Sequence, residues 1–132
     1  MEQKKSPKIK TKGKEEMRSI TRMKILVINP NTSIDMSKTI DKVAKKCASP
    51  GTDVTTMNPQ HGPMFISNAY DVVLQAPRVI KLIEKNKRNY DAFIISCGSD
   101  PRLETCRLVT KKVIGAGTGS DYAQRAVFAR RD

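Results

Sequence analysis

Two short aliphatic runs constrain this chain more than anything else in it. Ile25-Leu26-Val27-Ile28 and Ala92-Phe93-Ile94-Ile95-Ser96 are apolar on every residue or nearly so. They do not alternate, as a strand covered on both faces by helices requires. Each run stops abruptly in a polar, proline-containing loop, Asn29-Pro30-Asn31-Thr32-Ser33 after the first and Cys97-Gly98-Ser99-Asp100-Pro101 after the second. Between and beyond them the apolar period lengthens to that of helices. Met36, Ile40, Val43, Ala44 and Cys47 form one expected stripe, opened by a Thr32 or Ser33 cap and closed by Ser49-Pro50-Gly51. A weaker strand over Asp53–Met57 leads into the loop Asn58-Pro59-Gln60-His61-Gly62-Pro63. The helical pattern that follows is interrupted by Pro77, which is expected near the start of a second helix with Val79, Ile80 and Ile83 inward. Leu103, Cys106 and Val109 mark a short helix, and Val113-Ile114 a last strand before Gly115-Ala116-Gly117-Thr118-Gly119. A closing helix is expected from Ser120, with Tyr122, Ala123, Ala126 and Val127 inward.

The order β-α-β-α-β-α-β-α with right-handed crossovers gives an α/β fold. The expected architecture is a four-stranded parallel sheet, order 2-1-3-4, with helices on both faces. In that order the connections reverse direction between strands one and three, which opens a ligand crevice beyond their carboxyl ends. The two chemically richest loops of the chain leave from those two ends.

Composition narrows the function. No apolar stretch approaches the ~20 residues of a membrane span, so an integral membrane protein is excluded. Three cysteines in 132 residues do not make a disulfide scaffold, and reduced thiols in a cytoplasmic protein are expected. The net charge of +12 is uneven: Met1 to Arg22 holds eight Lys or Arg against three Glu and almost nothing to bury. Residues 1–22 are therefore read as a disordered basic tail and 23–132 as the folded α/β lobe. The tail has neither the apolar core of a secretory signal nor the acid-poor composition of a transit peptide. A nucleic-acid arm is the rival reading, testable by steep salt dependence. Sparse aromatics, 5% of the chain, argue against nucleic acid as the partner of the lobe.

Cys47 and Cys106 fall on apolar helical stripes and read as small buried hydrophobes. Cys97 differs, since it ends a strand just before a helix start, where the positive end of the helix favours a thiolate. Asn29, Asn31, Thr32 and Ser33 bring amide and hydroxyl groups to a helix N-terminus, suited to a carboxylate or imide-like oxygen. An Asx turn with an N-cap accounts for the same residues structurally. His61 is the only histidine, so neither a His-based triad nor a multi-His metal site fits in one chain. The glycine-rich Gly115–Gly119 segment lacks the lysine and spacing of a phosphate loop.

Met23 to Ser33 resembles the opening of the aspartate/glutamate/hydantoin racemase superfamily, in its hydantoin racemase branch. The resemblance continues through Pro50-Gly51-Thr52, Asn58-Pro59, Gly62-Pro63, Tyr70-Asp71, Tyr90-Asp91-Ala92-Phe93, Cys97, Asp100-Pro101 and Leu103, and fades after about Gly119. It implies one lobe of a normally two-lobed fold. It further implies cofactor-independent racemisation by two cysteines, acting on a hydantoin or amino acid at a carbon alpha to a carbonyl. Cys97 matches the first catalytic cysteine. Asn29, Thr32 and Ser33 match the substrate-anchoring loop, and Asn31, Gly98, Ser99 and Asp100 are taken as further substrate-binding residues; no metal and no cofactor are expected. Gly98 and Arg102 depart from the usual surroundings of that cysteine. The second cysteine belongs to a half this chain lacks, so the site is expected to be incomplete without a second lobe or a homo-oligomer partner. A catalytically inactive ligand-binding lobe is the alternative, and a single-cysteine isomerase or decarboxylase a more distant one.

Overall fold

A computed structural model describes residues 22–98, 103–117 and 119. The basic tail up to residue 21, Ser99, Asp100 and the helix expected from Ser120 lie outside the described residues. Four strands, β1 (Met23–Ile28), β2 (Thr52–Met57), β3 (Ala92–Ile95) and β4 (Val113–Gly115), form one sheet in the order β2-β1-β3-β4. All three pairings are parallel. The connections are α1 (Ile34–Cys47), α2 (Ala69–Asn86) and α3 (Leu103–Val109). β1 is flanked on both sides, and its Leu26, Val27 and Ile28 are all buried, as the unbroken apolar run requires.

Alternation along the strands sorts the core. Leu26, Ile28, Phe93, Ile95 and Val113 point to one face, where Val79 and Ile83 of α2 and Leu103 and Cys106 of α3 close over them. α1 packs against β2. It lies on the other face, because the chain steps one way from β1 to β2 and the opposite way from β2 to β3. That second face is thinly covered among the described residues: Ile94 is half-buried and Ile114 is 54% exposed.

Two expectations need correction. Pro77 does not open a second helix; it sits inside one continuous helix, α2, beginning at an Asn68 cap whose side chain accepts from the Asp71 N–H (3.0 Å). The Asp71 carboxylate returns the bond to Ser67 N–H (2.9 Å). Proline deprives the Val73 carbonyl of its helical donor, at ~3 kcal/mol in a helix interior. Val73 is exposed, so water reaches that side of the helix, while Gln75, Ala76, Val79 and Ile83 remain buried on the other.

The stripe on α1 is also turned from its expected position. Met36, Val43 and Cys47 are exposed, Ile40 and Ala44 are half-buried, and the buried residue is Ser37. The cause is polar: the Ser37 hydroxyl accepts from Asn29 Nδ2 (3.1 Å) and donates to Asn58 Oδ1 (2.7 Å), which rotates the helix to bring residue 37 inward.

Among the described residues no helix is long and apolar enough to cross a membrane. Phe93→Ala is expected to cost about 3–5 kcal/mol in urea unfolding, because Phe93 is 1% exposed and central to the cluster. Val43→Ala, on the exposed side of α1, is expected to change stability by no more than about 0.5 kcal/mol.

Candidate active site

β1 and β3 run in register, Ile28 beside Ile95, and Ser96 N–H donates to the Ile28 carbonyl (2.8 Å). Asn29-Pro30 and Ser96-Cys97 therefore leave the sheet side by side, one strand spacing (~4.8 Å) apart. The first residues of both predicted loops are thus neighbours at the carboxyl end of the sheet, where the strand order reverses. Cys97 is half-buried, its inner side packed on the core cluster. Gly98 is exposed, and a Cβ there would meet open space.

The β1 loop is built largely from its own side chains. Asn29 and Asn31 are 1% and 5% exposed. Asn29 Nδ2 donates to Asn31 Oδ1 (2.7 Å) as well as to Ser37, and Asn31 Oδ1 also takes the Ser33 N–H (3.0 Å). Asn31 Nδ2 points at Met36 Sδ (3.0 Å), and the Ser33 hydroxyl caps α1 by accepting from Met36 N–H (3.2 Å). Thr32 N–H donates to the Pro63 carbonyl (3.1 Å), joining the β1 loop to the one after β2. These amides and hydroxyls shape the turn. The N–H groups of Ile34 and Asp35, at the open end of α1, have no hydrogen-bond partner among the described residues.

Three supporting residues escape a reading by pattern. Gln75 is fully buried, and its Nε2 donates to the carbonyls of Pro30 (2.6 Å) and His61 (3.3 Å) while Arg78 Nη1 donates to its Oε1. One side chain thereby ties α2 to both loops. The signal is present in the sequence: Gln75 lies four and eight residues before Val79 and Ile83, a polar residue in the middle of an apolar face. Ser37 and Asn58 form the second tie, with Asn58 Nδ2 closing onto the Pro59 carbonyl (2.9 Å). Gly62 adopts φ +121°, and a Cβ there would run into the Gln75 amide.

The other two thiols are elsewhere. Cys47 ends α1, at the opposite end of the sheet, and is exposed. Cys106 is fully buried on α3, as its position in the sequence implies, and burial pushes its thiol pKa up. Cys97 is the one cysteine of the chain at the crevice. No group of three His, Cys, Asp or Glu side chains among the described residues is arranged to hold a metal ion.

Two measurements follow from this geometry. Iodoacetamide labelling mapped by mass spectrometry is expected to modify Cys47 and Cys97 in the folded protein and Cys106 only after unfolding. Gln75→Leu is expected to cost about 1–3 kcal/mol by stranding two carbonyls. Gly62→Ala should destabilise by more than about 1 kcal/mol. Urea titration reads both.

Residues 25–118 match the family model described as Asp/Glu/Hydantoin racemase. A hydantoin racemase of Pseudomonas sp. (strain NS671) is 42% identical over 110 residues, covering 82% of this chain and 44% of that protein. A hydantoin racemase of Paenarthrobacter aurescens is 31% identical over 110 residues, covering 81% and 47%. Among solved structures, an allantoin racemase from Klebsiella pneumoniae superposes with a TM-score of 0.64 at 33% identity, covering 70% of this chain and 39% of that one. The chain spans less than half the length of the curated relatives it matches. With the parallel sheet, its strand order and the cysteine at the switch point already in place, the chain belongs to the Asp/Glu/hydantoin racemase family.

Proposed function

We propose that this chain carries one face of a cofactor-independent racemase site for a small molecule, a hydantoin or an amino acid, with Cys97 as the base. The observation that supports this reading most is the placement of the half-buried Cys97 beside the β1 loop at the carboxyl end of the sheet. The thiolate takes the proton from a carbon alpha to a carbonyl, and the charge left behind moves onto the carbonyl oxygen as an enolate. Fixed N–H donors stabilise that oxygen because they need no reorientation as charge develops. The loop of Asn29, Asn31, Thr32 and Ser33 holds the open end of α1, with the Ile34 and Asp35 N–H groups, ready for that role. Gly98, Ser99 and Asp100 are assigned to substrate binding on the family resemblance.

Inversion needs a proton delivered to the opposite face of the carbanion. Neither Cys47 nor Cys106 can deliver it, the first by position and the second by burial. The second acid therefore comes from a further lobe or a second copy of the chain. Alone, the chain reprotonates on the face from which it took the proton, or binds without turnover.

The test is proton NMR of a single enantiomer of a 5-substituted hydantoin in heavy water, with polarimetry in parallel. Loss of the α-proton signal faster than loss of optical rotation is expected. Cys97→Ser is expected to slow exchange by about 10²-fold or more. Equal exchange by the wild type and Cys97→Ser would exclude Cys97 as the base. Calorimetric binding of the hydantoin without any exchange would establish the ligand-binding reading instead.

A further inference from the structure

Arg78, Lys81 and Lys85 recur at i, i+3 and i+7 along α2, so three cations share one face of the helix. They line an open groove of about 490 Å³ together with the apolar Met57, Pro59 and Leu82 and the polar Asn58, Gln60 and His61. Among the described residues no carboxylate lines this groove. Among the described residues the ion pairs are Arg22–Asp53 and Lys45–Asp41, and none of the three cations takes part in one. Gathering like charges within two helical turns is unfavourable by itself. An anion in the groove reverses that.

The guanidinium is held before any ligand arrives. Arg78 is half-buried and its Nη1 donates to Gln75 Oε1, while Gln75 is fully buried and fastened to the Pro30 and His61 carbonyls. One of five N–H donors is spent in that contact, which leaves an oriented donor edge. The two lysines add mobile point charges on exposed arms. Cys97 does not line the groove, so it is separate from the crevice at the β1–β3 switch point.

We propose that this groove is a second binding site, for a phosphate monoester whose organic part is apolar. A phosphate monoester carries close to two negative charges at neutral pH and presents three acceptor oxygens on one atom. One held Arg and two Lys can meet that charge and those acceptors, and a dicarboxylate is the competing anion. The apolar part lies against Met57, Pro59 and Leu82.

The test is calorimetric titration of the full chain with phenyl phosphate, inorganic phosphate, phenol and phenylsuccinate at constant ionic strength. Saturable binding of phenyl phosphate, tighter than that of the other three, is expected. Lys81→Ala/Lys85→Ala is expected to weaken it by about tenfold or more. Lys42→Ala/Lys46→Ala removes the same charge from exposed positions on α1 and is expected to leave the affinity unchanged. Equal weakening by the two double variants would reduce the effect to diffuse attraction by a chain of net charge +12 and overturn the proposal. So would phenylsuccinate binding as tightly as phenyl phosphate, or no saturable binding at all.

Discussion

The amide of Asn29, buried directly beyond the central strand, holds the carboxyl end of this sheet together. It reaches Asn31 within its own loop and Ser37 on α1, and through Ser37 it is linked to Asn58 after β2. A buried amide left unpaired costs more than the bond it would have made. The loop, the first turn of α1 and the segment after β2 must therefore adopt one arrangement jointly or pay in stability. Gln75 repeats the device from the other face, with a single side chain holding the Pro30 and His61 carbonyls. Between them these amides immobilise the floor of the crevice, and Cys97 stands beside a surface that does not need to reorganise.

The same frame separates two chemistries. At the β1–β3 switch point the open elements are a thiol and backbone N–H groups, which suit proton removal and stabilisation of the resulting oxyanion. Between α2 and the segment after β2 the groove is lined by Arg78, Lys81 and Lys85 with Met57, Pro59 and Leu82, which suit an anion with an apolar part. Arg78 belongs to the second region and Pro30 to the first, and Gln75 bonds to both. The two regions are therefore built on one rigid element without sharing a reacting group.

The cysteines show how burial sorts residues of one type. Cys106 lies under the sheet where desolvation keeps its thiol protonated, and Cys47 lies on a helix end far from the crevice. Periodicity placed both on apolar stripes, yet only Cys106 is covered. The difference arises because α1 rotates to satisfy the Ser37 hydroxyl, and hydrophobic patterning carries no information about which polar residue has a buried partner.

Local chemistry was enough to place the strands and helices, the parallel sheet and Cys97 at the end of β3. Unbroken apolar runs demand a sheet covered on both faces, and right-handed crossovers then leave few topologies. The capping of α1 by Ser33 was legible for the same reason, since a cap is decided within three residues. Tertiary structure alone decided the rest. Pro77 lies within a continuous helix because burial of Val79 and Ile83 outweighs one lost backbone bond. Gln75, Ser37 and Asn58 take their roles from partners as many as 45 residues away. Such distant pairings are energies of the folded chain, and no local spacing encodes them.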